Sequence, residues 1–223
     1  MSKGAITRAA LEQARIDDLL RGGWTKADLW RARGPDGRLV VVKDFASKRR
    51  IIRLWGRIQV AREVAALETL AGVEGVPRLL ARVDAWALAL EFIDGDELRR
   101  LGDRPEVPAW LEGLRAVIDR AHRRGVIHND LRGRENVMIE RGSGRVIVID
   151  WAGALRLPPG TLRHRLLFPW LRLVDEGAWL KWKRMLDPAS LTDRDRRFLA
   201  RFETIRRLWP FNRKRAARAG SPR

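Results

Sequence analysis

The chain has 223 residues, 45% of them hydrophobic, and a formal net charge of +18, which is enough apolar content to bury a core beneath a surface that attracts anions. It has no cysteine and three histidines, so disulfides, thiolate metal sites and cysteine nucleophiles are excluded and any zinc site would lean on carboxylates. The opening MSKGAITRAALEQARIDDLL breaks its apolar residues with charge every few positions, so it reads as neither a signal peptide nor a membrane span, and a reducing cytoplasm is the simplest expected location.

From Ala5 to Leu20, Ile6, Leu11, Ile16, Leu19 and Leu20 recur at mostly helical spacing until Gly22-Gly23, which predicts an N-terminal helix. WTKADLWRAR and RLVVVKDF flank GPDG, the chemistry of a hairpin. The stretch IIRLWGRIQVAREVAALETL predicts a long basic helix from Ile51 to Leu70, ending near Gly72. RLLARVDAWALALEF reads as two short strands with a break at Asp84. In PAWLEGLRAVIDRAHRRG, Leu111, Leu114, Val117, Ile118 and Ala121 share one stripe, and Gly125 stands where a C-terminal cap belongs. NVMIE and RVIVID then flank an RGSG turn, and three helices are expected beyond them: RHRLLFPWLRLV, AWLKWKRML and DRRFLARFETIRRLW. Thr192 and Asp195 introduce the last in capping-box spacing. A strand-rich front with one helix thus precedes a mostly helical back, an α+β organisation without internal repeats.

Strand alternation puts Lys43 on one face with Leu39, Val41 and Phe45, so it either snorkels to water or is paired and functional. Asp150 ends RVIVID, a run with the character of a doubly buried strand; alone it fits a turn cap or an ion ligand equally. Between them, VIHNDLRGRENVMI sets His128, Asp130 and Asn136 between two apolar ends. An Asp to accept a hydroxyl proton, an Asn and an Asp to offer oxygens to magnesium, and a remote Lys for phosphates are together what phosphoryl transfer requires.

From about Trp24 to Asp150 the chain resembles the protein-kinase-like superfamily. HNDLRGREN resembles the catalytic loop HRDLKPEN, VVVK resembles the strand motif VAIK, and IDWAG occupies the place of DFG. The resemblance implies a bilobal fold, a small antiparallel sheet lobe with one long helix plus a shortened, mainly helical lobe. The implied divisions are an N-terminal helix (1–22), the sheet lobe (23–92), the reduced helical lobe (93–212) and a basic tail (213–223). It further implies ATP and Mg2+ as cofactors and transfer of a phosphoryl group to a hydroxyl, on protein Ser/Thr first and on a saccharide or lipid-linked sugar as the alternative. Asp130 would be the catalytic base, Asn136 and Asp150 the magnesium ligands, and Lys43 the phosphate-orienting lysine, paired with Glu63 in preference to Glu68. Arg132 would neutralise the phosphoryl group in flight, His128 would hold the loop, and EFIDGDEL would be the hinge whose backbone at Glu91 and Ile93 receives adenine.

Three features depart from the family pattern. Asn136 lies six positions after Asp130 where five is usual, as in atypical bacterial kinase-like proteins with an HNDL loop. GGWTKADLW lacks the spaced glycines that close on phosphates, which shifts the expected nucleotide contact to Thr25 or Lys26. No APE-like segment follows IDWAGALRLPPG, and so short a helical region is similar to the RIO kinases, the small kinase of the KEOPS complex and the sugar kinases of lipopolysaccharide core. A catalytically silent scaffold and an RNA-associated assembly factor are the competing expectations.

Residues 151–223 hold 18 Lys and Arg against 6 Asp and Glu, two-thirds of the whole excess. Trp170, Trp179, Trp182 and Trp209 alternate there with basic residues, a mixture found on membrane-surface helices and on nucleic-acid binders. Phe198, Leu199, Phe202, Ile205 and Leu208 form a stripe better suited to packing. The tail FNRKRAARAGSPR is expected to lack fixed structure, and any partner it has would be anionic: inner-leaflet lipid, RNA or an acidic protein.

Overall fold

In a computed structural model that describes residues 6–208, the N-terminal pattern divides in two. Helix α1 covers only Arg8–Gln13, with the Thr7 side chain accepting the Ala10 N–H, and strand β1 covers Arg15–Leu20. The expected helix through residue 20 is therefore corrected. Ile16, Leu19 and Leu20 have the spacing of a helix, but β1 instead pairs antiparallel with the open edge of β2, Asp28–Arg33. That pairing satisfies backbone groups a helix would have left on the β2 edge, and Arg31 bonding Asp17 at 2.8 Å reinforces it.

GPDG makes the expected hairpin turn, with the Gly34 N–H donating to Arg38 at 2.8 Å and Gly37 at φ +79°, and leads into β3, Leu39–Asp44. Helix α2, Arg50–Thr69, follows. Strands β4 (Leu79–Arg82) and β5 (Ala87–Glu91) are separated at Asp84, whose carboxylate accepts the N–H groups of Trp86 and Ala87. All five strands are antiparallel in the order β1-β2-β3-β5-β4.

The two faces of this sheet are covered differently. On the back, Trp30, Val40, Val42 and Ala89 pack with Leu11 of α1, and Arg8 staples α1 down by bonding Asp44 at 2.7 Å and Asp84 at 2.6 Å. On the front lies α2, which buries Val60, Val64 and Leu67. Its close approach depends on Gly56, where an added Cβ would stand 2.3 Å from the Phe45 ring. Gly56→Ala should therefore destabilise the protein by about 1–3 kcal/mol, because overpacking at this contact outweighs the gain in helix propensity; urea unfolding of the variant measures it.

The chain continues through β6 (Gly95–Glu97), α3 (Val107–Arg123), β7 (Val126–Ile127), β8 (Val137–Glu140), β9 (Val146–Val148) and β10 (Leu155–Arg156). These strands form a three-stranded sheet, β6-β8-β9, and a β7-β10 pair. Gly125 caps α3 at φ +70°, and a Cβ there would lie 2.2 Å from the Leu157 carbonyl, so the turn from α3 into β7 admits no other residue comfortably. Three helices complete the described chain: α4 (Leu162–Leu171), α5 (Leu173–Leu186) and α6 (Asp193–Leu208). The capping box of α6 is reciprocal, Asp195 N–H to Thr192 Oγ1 at 3.2 Å and Thr192 N–H to Asp195 Oδ2 at 3.1 Å.

One core joins α2 to the helical part. Val64, Leu67, Leu114, Val148, Trp151 and Trp182 belong to the same buried cluster, so the sheet front, α3, β8-β9 and α5 pack as a unit in a mixed α+β molecule. Leu199 and Phe198 pack with Leu180 and Leu191, in line with the stripe read for the last helix. The side chains of Ile205 and Leu208, Trp209 and the tail at 213–223 lie outside the described residues.

Candidate active site

Strand alternation turns Lys43 to the front of the sheet, where two carboxylates meet its ammonium: Glu63 Oε2 at 2.7 Å and Asp150 Oδ1 at 2.6 Å. Glu63 projects from a fully buried position on α2, whereas Glu68, five residues on, is exposed. Helical rotation decides between them, since five residues turn the side chain away from the sheet. Asp150 follows β9 in a left-handed conformation, φ 62° and ψ 67°, uncommon for a residue with a side chain. The Ile149 N–H donating to the Asn136 carbonyl at 2.9 Å fixes the backbone just before it.

The three charges do not titrate alike. Burial alone would depress the Lys43 ammonium, but attraction to Glu63 and Asp150 outweighs it and holds the group above the ordinary lysine value. Burial raises the Glu63 carboxyl, Lys43 offsets only part of that rise, and the charge on Asp150 adds to it. For Asp150, burial also pushes upward, yet Lys43, with help from His128 and the Ala152 N–H, leaves the carboxyl below its usual range. One ammonium is shared by two carboxylates, and the one with 45% of its side chain exposed holds its charge more readily than the one in the core.

The segment after β7 is a loop tied down from beneath. The buried Asp175 of α5 accepts the His128 N–H at 2.8 Å, the Asn129 N–H at 2.9 Å, and lies 3.0 Å from His122 Nε2. Two bonds to adjacent amides hold Asn129 at φ 66°. His128, also buried, has Nε2 3.0 Å from the Ile149 carbonyl and Nδ1 3.3 Å from the Asp130 N–H, so it links the loop to the segment carrying Asp150. Trp182 Nε1 donates to the Leu131 carbonyl at 2.9 Å. Asn136, 3% exposed, donates its amide to the Asp130 carbonyl at 2.8 Å. The Asp130 side chain itself is exposed. It stands beside the turn after Asp150, since a Cβ built on Gly153 would be 3.5 Å from the Asp130 Cβ.

No family model and no curated protein matches this sequence. The residues that carried the resemblance are nonetheless gathered in one place: Lys43, Glu63 and Asp150 by direct bonds, Asp130 and Asn136 through the loop beside them. Lys26, in the turn between β1 and β2, stands 3.7 Å from Glu135 of that loop, both side chains exposed; Thr25 is exposed on the same turn. This turn lacks spaced glycines but is anchored, because Lys48 donates to the Gly22 carbonyl at 2.8 Å and Asp28 accepts the Gly22 N–H at 2.9 Å. Arg132 is half-exposed two residues beyond Asp130. Glu91 ends β5 with its carboxylate engaged by Arg78 at 2.8 Å and its N–H donated to the Arg78 carbonyl, and Ile93 lies two residues later in the connection to β6.

Asn136 and Asp150 are the oxygen donors suited to magnesium. The Asn136 amide nitrogen is engaged by the Asp130 carbonyl, and Asp150 bonds Lys43 through Oδ1. Among the described residues no group of three or more His, Asp or Glu is placed to hold a metal ion.

The sequence gives no direct sign of Asp175, His122 or the role of Trp182. An acid in the first turn of a helix ordinarily reads as a dipole partner on the surface; only the lone acidic pair in LVDEGAW, amid basic and apolar neighbours, hints otherwise. Trp179 and Trp182, read as possible surface binders, are structural: Trp179 Nε1 donates to the Leu111 carbonyl at 3.0 Å, and Trp182 is buried under the loop. Their indoles serve core atoms that need an N–H donor. Trp170 is 73% exposed.

Proposed function

We propose that the chain is an ATP- and Mg2+-dependent phosphotransferase of bilobal, protein-kinase-like fold that moves the terminal phosphoryl group to a hydroxyl held near Asp130. The supporting observation is the sharing of Lys43 by Glu63 and Asp150 beside a loop bearing Asp130 and Asn136. Buried ion pairs add little stability over apolar packing of the same volume, so three charges converging beside exposed polar groups favour use over structure.

In this reading Lys43 orients the non-transferred phosphates, with Glu63 fixing its direction. The Asp130 carboxylate accepts the proton of the acceptor hydroxyl as the new O–P bond forms and the bond from the terminal phosphorus to the bridging oxygen breaks, with ADP as the leaving group. Arg132 and Lys26 contribute positive charge toward the phosphates, and Ile93 supplies the donor to adenine, since the Glu91 N–H is engaged in the sheet. Magnesium, held by Asn136 and Asp150, would neutralise phosphate charge. Protein Ser and Thr hydroxyls are the proposed acceptor class, with a saccharide hydroxyl as the chemical equivalent.

The test is Mg2+-dependent ATP binding and phosphoryl transfer by the purified chain, to itself and to added protein and saccharide acceptors. Asp130→Asn should lower turnover roughly 100- to 10,000-fold while ATP binding persists. Asp150→Ala should remove the Mg2+ dependence of binding. Turnover indifferent to both substitutions, or no binding of Mg-ATP, overturns the proposal.

A further inference from the structure

Helix α2 carries a second apolar stripe. Opposite the residues it buries, Ile51, Leu54, Trp55 and Ile58 recur at i, i+3, i+4 and i+7 and are 82%, 63%, 48% and 46% exposed. The stripe continues through Ala61 and Ala65 into a groove of about 780 Å³ whose far wall is Ala154 and Leu155, with Arg57, Arg62 and Arg156 among its lining. Leu155 also packs with Ile127, Leu157 and Phe168, and so joins that wall to α4. Phe168 is the buried anchor of α4, while Leu162, Leu166 and Trp170 are 68%, 61% and 73% exposed. A soluble surface rarely leaves two helical rows of large apolar side chains uncovered without an interaction to explain them.

The two segments that carry these rows bear charge of one sign. Residues 45–62 contain six Lys and Arg and no Asp or Glu, and residues 151–174 contain four Arg and again no acid. Trp24, 79% exposed, lies under the Arg49 guanidinium at 5.0 Å, at the N-terminal end of α2.

We propose that this face, formed by the outer stripe of α2 with Trp24 and by the outer row of α4, docks on the surface of an anionic lipid bilayer. The proposal is independent of the phosphotransfer reading. Arginines would meet lipid phosphates while Leu, Ile and Trp enter the boundary between headgroups and acyl chains. The charge argues against other occupants. A second copy would oppose arginine to arginine, and residues 213–223, with five Lys and Arg and no acid, would be repelled. RNA would satisfy the arginines but leave Ile51, Leu54, Leu162 and Leu166 in water. An acidic protein would cover one row, whereas exposed tryptophans stand on three separate elements. Among the described residues no helix is long and apolar enough to cross a membrane, so the mode is attachment in the interface.

The experiment is sedimentation of the full chain with vesicles of phosphatidylglycerol and phosphatidylcholine, beside vesicles of phosphatidylcholine alone, with tryptophan emission and its quenching by brominated lipid read in parallel. Binding should be roughly ten-fold or more stronger to the anionic vesicles, with a blue shift and quenching. Combining Leu54→Ser, Ile58→Ser, Leu166→Ser and Trp170→Ser should weaken it by roughly ten-fold or more; all four side chains are exposed, and thermal unfolding of the variant checks that the fold is retained. Should the variant fail to fold, quenching of the unaltered chain decides alone. No binding, equal binding to neutral vesicles, binding unchanged in the folded variant, or occupation of this face by a second copy, RNA or an acidic peptide without vesicle binding overturns the proposal.

Discussion

Asp175→Ala is expected to cost about 3–5 kcal/mol of folding stability and to disorder the segment from His128 to Asp130. The carboxylate is 1% exposed and accepts the amides of His128 and Asn129. Its removal strands the buried N–H of His128 and the half-buried one of Asn129, and deprives His122 of its partner. The His128 amide cannot turn to water, because β7 fixes the backbone before it, and Asn129 depends on its bond to Asp175 for its left-handed conformation. Asp175→Asn keeps one acceptor and sets an NH2 against a backbone N–H, so its cost should be smaller, about 2 kcal/mol. Urea titration of both variants, with hydrogen exchange at residues 128–130, gives the comparison; equal stability of the alanine variant and the parent would mean the carboxylate is not the anchor the geometry makes it.

Lys43→Met should lower stability by about 3–5 kcal/mol near neutral pH, and the loss should shrink as the solution is acidified. In the intact protein the Lys43 value is raised, so its contribution is complete below the ordinary lysine range and disappears as pH rises through the raised value. The Asp150 value is lowered, so its contribution is complete above the ordinary aspartate range and is lost as pH falls through the lowered value. Between these limits the triad is whole. Without the ammonium, the Glu63 carboxyl, already raised by burial, rises further and enters the core comfortably only when protonated. A raised carboxyl stabilises the folded state below its ordinary value and loses that effect as pH climbs through the raised one, so the variant is worst placed at neutral and alkaline pH. Denaturation of both proteins in mildly acidic and mildly alkaline buffer measures the difference, and a pH-independent gap would rule out Glu63 as its source. Under the proposed function the same substitution also removes phosphoryl transfer.

Much of the fold was legible because local signals and tertiary packing agree. The α3 stripe, the GPDG hairpin and the Thr192-Asp195 box each state one geometry in side-chain chemistry, and each forms. Lys43, Asp130, Asn136 and Asp150 were legible for a different reason: they are polar groups in apolar contexts, costly unless they serve one another or a ligand. The reading failed where the deciding partner is remote in sequence. Ile16 to Leu20 is as good a helix as a strand until the β2 edge is present to bond it. Asp175 is an ordinary helix-start acid until the fold brings His128 and Asn129 over it. The outer stripe of α2 was hidden by abundance, since apolar residues on two sides of a helix blur the single-face periodicity that reveals burial.

The contacts that complete the site span long stretches of chain: Lys43 waits for Asp150, and His128 for Asp175. During synthesis at typical rates, the wait from residue 43 to residue 175 is on the order of ten seconds. Until residue 150 is made, Glu63 and Lys43 can pair with each other but not with the second carboxylate, and until residue 175 is made the loop at 128–136 has no floor. A nascent chain therefore carries the parts of the site without the site, and any chemistry performed there begins only after α5 has emerged from the ribosome and docked.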